Sequence, residues 1–452
     1  MAYCAYITRL KNVRKHSNAD RLLCGECFGN NVIVNLDYAD NQLGVYFPVD
    51  GKLGEEYATK NNLLRKKDEN GNNIGGYLDP EKRNIKALKL RGEKSDGLFM
   101  PLESLADYVH ISTLKEGETI TVLNGILICE KYIPKSNHRN HSPSHKQGKK
   151  KENKITYPYF EEHIDTAQLC YNLDSFKAGD LIEITLKMHG TSQRTAHTLV
   201  REQKAYPYVI YRLRNLLGLQ PKTTEKYEYI SGTRRCTLAN FDGGYYGSNA
   251  FRKQHHNKFV GKLHKGEEIF YEVVGFTDNG TPIMPSVSNS KLNDKEFVKK
   301  YGEETVFSYG CKPIVSIDCD DLQSDVYVYR MTITNPDGEV VEYTYDYMKY
   351  RCEQMGVKVV PLLTRFIIHD YDLEMDTRTA GEIVKDVAEQ YYDDLDPIGK
   401  KHWREGVVVR IVNRPKFTAF KHKNFTFKVL EGIIKETATE ADMEEAQETL
   451  SE

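Results

Sequence analysis

One segment divides this chain before any other feature shapes it. From Pro134 to Pro158 it reads PKSNHRNHSPSHKQGKKKENKITYP, rich in Ser, Asn, His and Lys and almost empty of apolar side chains. Such a stretch buries too little surface to offset the entropy of ordering itself, so no core runs through it. The chain therefore reads as two folding units, residues 1–133 and 159–430, joined by a basic flexible linker, 134–158, and followed by an acidic C-terminal helix or tail, 431–452.

The first unit shows short β-rich runs, Val32-Ile33-Val34 and Gly44-Val45-Tyr46-Phe47, bounded by Asn, Asp and Gly. With a turn at 69–73 and a short helix expected at 104–109, this suits a small barrel. The second unit is mixed. Apolar residues recur at helical spacing over 208–219 and 382–392, and strands are expected at 268–274, 326–334, 405–411 and 416–427. Thr439-Glu440-Ala441-Asp442 resembles a capping box that opens a terminal helix.

Charged residues make up 28% of the chain and mean hydropathy is −0.60, the profile of a polar globular protein. No apolar run approaches the roughly 18 residues of a membrane span. The first ten residues lack the pattern of a secretory signal, so a cytoplasmic location is expected. Nine scattered cysteines form no disulfide framework, and Cys24-Gly25-Glu26-Cys27, lacking a second pair, reads as ordinary strand cysteines. A net charge of −2 gives no global basic field, so any polyanion must be met by local patches.

Residues 182–187 alternate, with Ile182, Ile184 and Leu186 on one parity and Glu183, Thr185 and Lys187 on the other. Lys187 is thus expected at a strand end facing a polar space, with Gly190 letting the backbone approach a ligand. K-x-x-G alone identifies little, because it also starts at Lys89, Lys94, Lys258 and Lys299. Its companions say more. Glu272 sits among apolar residues of both parities, and a buried carboxylate is costly unless paired or used. Glu405 opens the β-branched run Gly406-Val407-Val408-Val409. Lys421 and Lys423 share one face of a strand, where mutual repulsion calls for a phosphate or carboxylates nearby. Ser231-Gly232-Thr233-Arg234-Arg235 offers a polar turn with two guanidiniums suited to phosphate.

Taken in order, K-M-H-G-T-S at Lys187, G-T-R at Arg234, Y-E-V-V-G at Glu272, Y-V-Y-R at Tyr329, E-G-V-V-V-R at Glu405 and K-H-K at Lys421 and Lys423 resemble the covalent nucleotidyltransferase superfamily. That group comprises ATP-dependent DNA ligases, RNA ligases and mRNA-capping guanylyltransferases. Only 29 residues follow Lys423, too few for a trailing domain, and the extra unit lies in front. This arrangement, with the lead-in Phe160-Glu161-Glu162-His163-Ile164-Asp165-Thr166, is similar to nick-sealing RNA ligases of the Deinococcus type. In the front unit, His16–Leu22, Ile85–Gly92 and Ser95–Leu98 resemble OB-type tRNA-binding domains, a pattern to which the look-alike lysines Lys89 and Lys94 belong.

The resemblance implies an α+β fold: an N-terminal OB β-barrel, then an ATP-grasp-like nucleotidyltransferase (adenylation) domain of antiparallel sheets flanked by helices. It implies an ATP-dependent RNA ligase joining 3′-hydroxyl and 5′-phosphate ends through lysyl-AMP and RNA-adenylate. The expected cofactors are ATP and a divalent metal, Mg or Mn. The expected partner is nicked duplex RNA or an RNA–DNA hybrid, with tRNA among the candidates, and the linker is either a tether alone or also an RNA-contacting arm. Lys187 is the expected AMP acceptor, assisted by Lys421 and Lys423, whose charges favour the neutral amine an attacking lysine needs. Thr185, Leu186, Gly190, Arg234, Glu272 and Tyr329 are expected around the nucleotide, Glu272 at the ribose and Tyr329 on adenine, with Glu405 at the metal. Arg235 and Lys428 stand as alternatives to Arg234 and Lys423. A GTP-using guanylyltransferase and a non-catalytic RNA-binding factor are the competing readings.

Overall fold

Hydrogen bonding sorts the strands of the second unit into two main sheets, mostly antiparallel. The computed structural model describes residues 3–70, 73–133, 153–206, 208–220, 222–234, 236–238, 241, 246, 248–292, 294–314, 321–370, 373 and 376–437. The smaller sheet has five strands, in the order Ala167–Gln168, Thr418–Lys423, Gly406–Ile411, Leu181–Lys187 and Leu362–Ile367. The larger has eight, centred on Thr223–Gly232, Thr191–Gln203, Glu267–Gly275 and Ser324–Thr334. Residues 188–190 carry the chain from one sheet to the other.

The expected alternation is present in Leu181–Lys187: Ile182, Ile184 and Leu186 are buried, while Thr185 and Lys187 stay partly exposed. Helix Ala380–Tyr392, opened by a capping box between Thr379 and Glu382, lays Val384 and Ala388 on Ile182, Ile184, Val407 and Val409. Helix Tyr345–Met355 packs Met348 and Cys352 against Tyr271, Val273 and Val328 of the larger sheet. Each fully buried side chain of this size contributes roughly 1.5–3 kcal/mol. A third cluster, with Leu186, Met188, Val274, Phe307 and Phe427, fills the space where the two sheets meet.

Several elements differ from expectation. The predicted strand 416–427 ends at Lys423, and helix Phe425–Thr437 follows. The switch is made by the buried Asn424, whose side chain accepts the Phe427 N–H at 3.1 Å as a helix cap. This helix runs past position 430 into the segment read as tail; the capping box at 439–442 lies outside the described residues. Within 134–158, residues 134–152 also lie outside them, whereas Lys154–Thr156 forms a strand on Thr191–Gln203.

In the front unit, Leu98–Pro101, Leu43–Phe47, Ala5–Arg9 and Thr119–Ile120 form a four-stranded sheet, and Lys11–Lys15, Leu22–Cys27 and Asn30–Asn35 a three-stranded one. Among the described residues the hydrogen bonds do not join into one closed barrel. The chain breaks its ladder at the buried Leu10, whose N–H turns to the Gln42 carbonyl, and register shifts between Lys11 and Arg14. Helix 104–109 is a 3-10 turn at Leu102–Leu105. Cys24 and Cys27 are buried, free strand thiols. The front unit seats on the 3-10 turn Leu169–Tyr171, where the Tyr171 ring lies 4.7 Å from Tyr6 and 5.2 Å from Phe28. No helix among the described residues is long and apolar enough to cross a membrane.

Candidate active site

Strand register alone gathers the central charges. Lys187 ends its strand opposite Gly406, and on the other side of Gly406 lies Lys423. Glu405, one residue earlier, receives both ammoniums on the same oxygen: Lys187 Nζ at 2.9 Å and Lys423 Nζ at 3.4 Å from Oε1. Gly406 is required for this crossing, since its φ is +149° and a Cβ there would lie 2.1 Å from the His422 carbonyl.

Only 5% of the Glu405 side chain is exposed. Burial pushes its pKa up, but Lys187, Lys423 and His189 outweigh that and hold it well below the usual carboxylate range. His189 places Nδ1 3.7 Å from Glu405 Oε2, with its ring edge-on to Phe307 and Phe427. Lys423 has a second carboxylate, Glu431 on helix Phe425–Thr437, at 2.8 Å. Lys421 differs. Among the described residues its ammonium has no hydrogen-bond or ion-pair partner. Burial, then Lys423, Lys187 and Arg234, push its pKa down to about 8. A cation held this way is poised for an incoming anion.

The other expected residues surround this centre. Glu272 stands opposite Ser192 on the neighbouring strand and is only half-buried. The deeply buried acids of its strand are instead Glu267, paired with Arg351 at 2.7 Å, and Glu268, which accepts the Glu161 N–H at 2.9 Å. Burial, opposed by Arg194, raises Glu268 to about 8. Gly190 is tight against this strand: a Cβ would lie 2.4 Å from the Val273 carbonyl and 2.8 Å from Glu272 Cγ. Within the chain its close approach is to backbone, and it also lines the cleft. Tyr329 shares hydrogen bonds with Ser192 Oγ at 3.0 Å and His163 Nδ1 at 3.1 Å. Burial and Arg234 lower His163 to about 3. Arg234 Nε donates to Asp165 at 3.0 Å. The Leu186 side chain belongs to the core, and its N–H is bonded to the Pro361 carbonyl. The Thr185 hydroxyl points at the Val408 carbonyl, 3.5 Å away.

All ten sequence-predicted residues line one cleft of about 380 Å³, within the usual range of small-molecule sites, roughly 300–1,000 Å³. Of the two alternatives, Lys428 also borders the cleft but spends its ammonium on Asp96, and Arg235 lies outside the described residues. Sequence reasoning missed Glu431, His163 and Asp165 as lining groups, along with Tyr3, Asp50 and Lys131 from the front unit. Glu431 was findable, since Asn424 signals a helix that carries it one turn beyond Phe427. The front-unit wall had no local signal.

No protein-family model matches the chain, and no curated protein matches it by sequence. Solved structures match by fold. An RNA ligase from Naegleria gruberi, solved as a mutant with ATP and Mn, aligns over 94% of this chain and 98% of its own, with TM-score 0.52 and 16% identity. Another mutant of it, with AMP and Mn, covers 94% and 97% at TM-score 0.52 and 15% identity. The same ligase with PPi covers 94% and 97% at TM-score 0.51 and 15% identity. The likeness extends over both units and is one of fold.

Proposed function

We propose that the chain is an ATP-dependent RNA ligase. The observation that carries this reading is the cleft in which Lys187, the unpartnered Lys421 and Lys423 converge beside the buried Glu405. The fold it shares with a ligase solved with ATP, AMP and PPi supports the same chemistry. The Lys187 amine attacks the ATP α-phosphorus; a P–N bond forms, pyrophosphate leaves and the amine loses a proton. The adenylyl group passes to an RNA 5′-phosphate, freeing the lysine. A 3′-hydroxyl then attacks that phosphate, and AMP leaves as the phosphodiester closes.

Lys421, Lys423 and Arg234 stabilise negative charge on the phosphates, Glu272 holds the ribose hydroxyls, and Tyr329 faces the base. Among the described residues no group of three or more His, Cys, Asp or Glu forms a ready metal cage. A Mg or Mn ion bound through one carboxylate plus substrate phosphates needs none, and the ionised Glu405 fits that role. Such an ion would neutralise phosphate charge and compete with Lys187 for Glu405. The front unit, read as an OB-type module, engages the nucleic acid close to the cleft it borders, and the enzyme belongs with the nick-sealing ligases that act on duplex RNA or RNA–DNA hybrids, with broken tRNA one candidate substrate.

The test is incubation with α-labelled ATP or GTP, then with nicked duplexes whose strands on either side of the nick are RNA or DNA. ATP labelling with sealing of an RNA 3′-hydroxyl is expected. Labelling by GTP alone would make the protein a guanylyltransferase, and no labelling by either would make it a binding factor.

Lys421 adds a pH signature. An anion binds its protonated form, so ATP raises its pKa, and affinity is full below about 8 and falls as pH climbs through that value. The half-saturating ATP concentration is expected to rise about tenfold per pH unit from about 8 up to the higher bound-state midpoint and to level off above it, and Lys421→Met should flatten this limb. An unchanged limb in the variant would show that another group titrates.

A further inference from the structure

Two sequence features that the nucleotide site does not use meet each other. The K-x-D-G string at Lys94 and the spare lysine at 428 lie 332 residues apart between Asp96 and Lys428, yet those two side chains form an ion pair. Both are largely buried, with 15% of Lys428 and 8% of Asp96 exposed. Asp96 ends the strand Glu93–Asp96 of the front unit, and the Tyr46 hydroxyl donates to its carbonyl at 2.6 Å. Lys94 lies 5.2 Å over the ring of Phe425, the first residue of helix Phe425–Thr437. The string that imitates a nucleotidyltransferase motif is therefore a docking surface for that helix.

On the helix, Lys428 and Glu431 are three residues apart and share a face. Glu431 holds Lys423 at 2.8 Å, and Lys423 shares Glu405 Oε1 with Lys187. Charged contacts thus run from the front unit to Lys428, and from Glu431 on the same face of the helix to the nucleophile, with the helix joining the two.

We propose that Asp96–Lys428 is a positioning latch, through which the front unit fixes the helix carrying Glu431 and so the placement of Lys423 beside Glu405 and Lys187. Its kinetic consequence rests on the ligase reading. The front unit then acts in the nucleotide step itself, before any RNA is bound.

The experiment uses the full chain with Asp96→Asn, Lys428→Met and the swap D96K/K428D. Two readouts are taken: the single-turnover rate of lysine labelling against ATP concentration, and hydrogen exchange across residues 425–437. Each single variant should label about tenfold more slowly, with half-saturating ATP within about twofold of wild type, since a misplaced assisting group slows chemistry more than binding. Exchange in the helix should quicken. The swap should restore both readouts, which a merely global loss of stability would not do. Unchanged rates, a shift in ATP affinity alone, unchanged helix exchange, or a swap that neither folds nor recovers would each overturn the latch. Wild-type protein that takes no label from ATP would refute the ligase reading instead, and helix exchange would still decide the latch.

Discussion

Lys187→Ala protein is expected to take up no label from α-labelled ATP, a loss of at least about 10³-fold against wild type. In the proposed mechanism, removing the amine removes the atom that forms the P–N bond, and no rearrangement of its neighbours replaces it. Lys187→Arg should fail equally, because a guanidinium stays protonated and cannot attack. Binding should survive. Lys421, Lys423 and Arg234, the proposed phosphate contacts, remain, so ATP affinity measured by calorimetry should stay within a few fold. Glu405 keeps Lys423 and His189 as partners, so the melting temperature should move little. A nick that already carries the adenylyl group bypasses the lysine, and its sealing should persist. Label on the Lys187→Ala protein would transfer the nucleophile's role to another lysine of the cleft, Lys421 first because its pKa is pushed down to about 8.

How much of this was legible beforehand depends on the range of each interaction. Strand alternation placed Lys187 at a strand end, because side-chain parity is local and Ile182, Ile184 and Leu186 face a core that tolerates nothing polar. The ordered motifs brought ten residues to one cleft because seven sit on strands whose register follows from their neighbours, and Gly190, Arg234 and Glu405 lie within two residues of a strand end. The identity of the buried acid was not legible. Glu267, Glu268 and Glu272 lie in one apolar run, and the two buried ones find partners distant in sequence, Arg351 and Tyr343 for Glu267 and Arg194 and the Glu161 N–H for Glu268. The end of the strand at Lys423 was missed although its cause, Asn424, was visible; β-rich flanks masked a helix cap. Nothing local marked the front unit as a wall of the cleft. That contact rests on Tyr171 entering an aromatic cluster and on Asp96 meeting Lys428, pairings between segments that share no sequence neighbourhood.

Glu405→Gln should produce the second large effect, and it separates the carboxylate's charge from its shape. The amide keeps the volume and can still accept one hydrogen bond, but Lys187 then loses its carboxylate with Lys421 close by, and Lys423 keeps only Glu431. Removing one partner from a buried ion pair costs about 3–5 kcal/mol where the remaining charge has neither water nor carboxylate; with Lys187 24% exposed and Lys423 held by Glu431, the loss is expected near the lower end. A loss of that size should appear in denaturant unfolding at pH 7. Since the folded-state pKa of Glu405 lies below the unfolded value, its contribution is fully present above about pH 4.3 and disappears as pH falls toward the folded pKa. The stability gap between wild type and variant should therefore close in acid and stay constant from pH 6 upward until the lysines titrate. Labelling by ATP should fall at least about 10²-fold, as expected for a group that organises charge in the transition state, and added Mg or Mn should not recover it. Equal stability at pH 7 would mean that Lys187 and Lys423 find water on losing Glu405, and equal labelling would remove Glu405 from the chemistry.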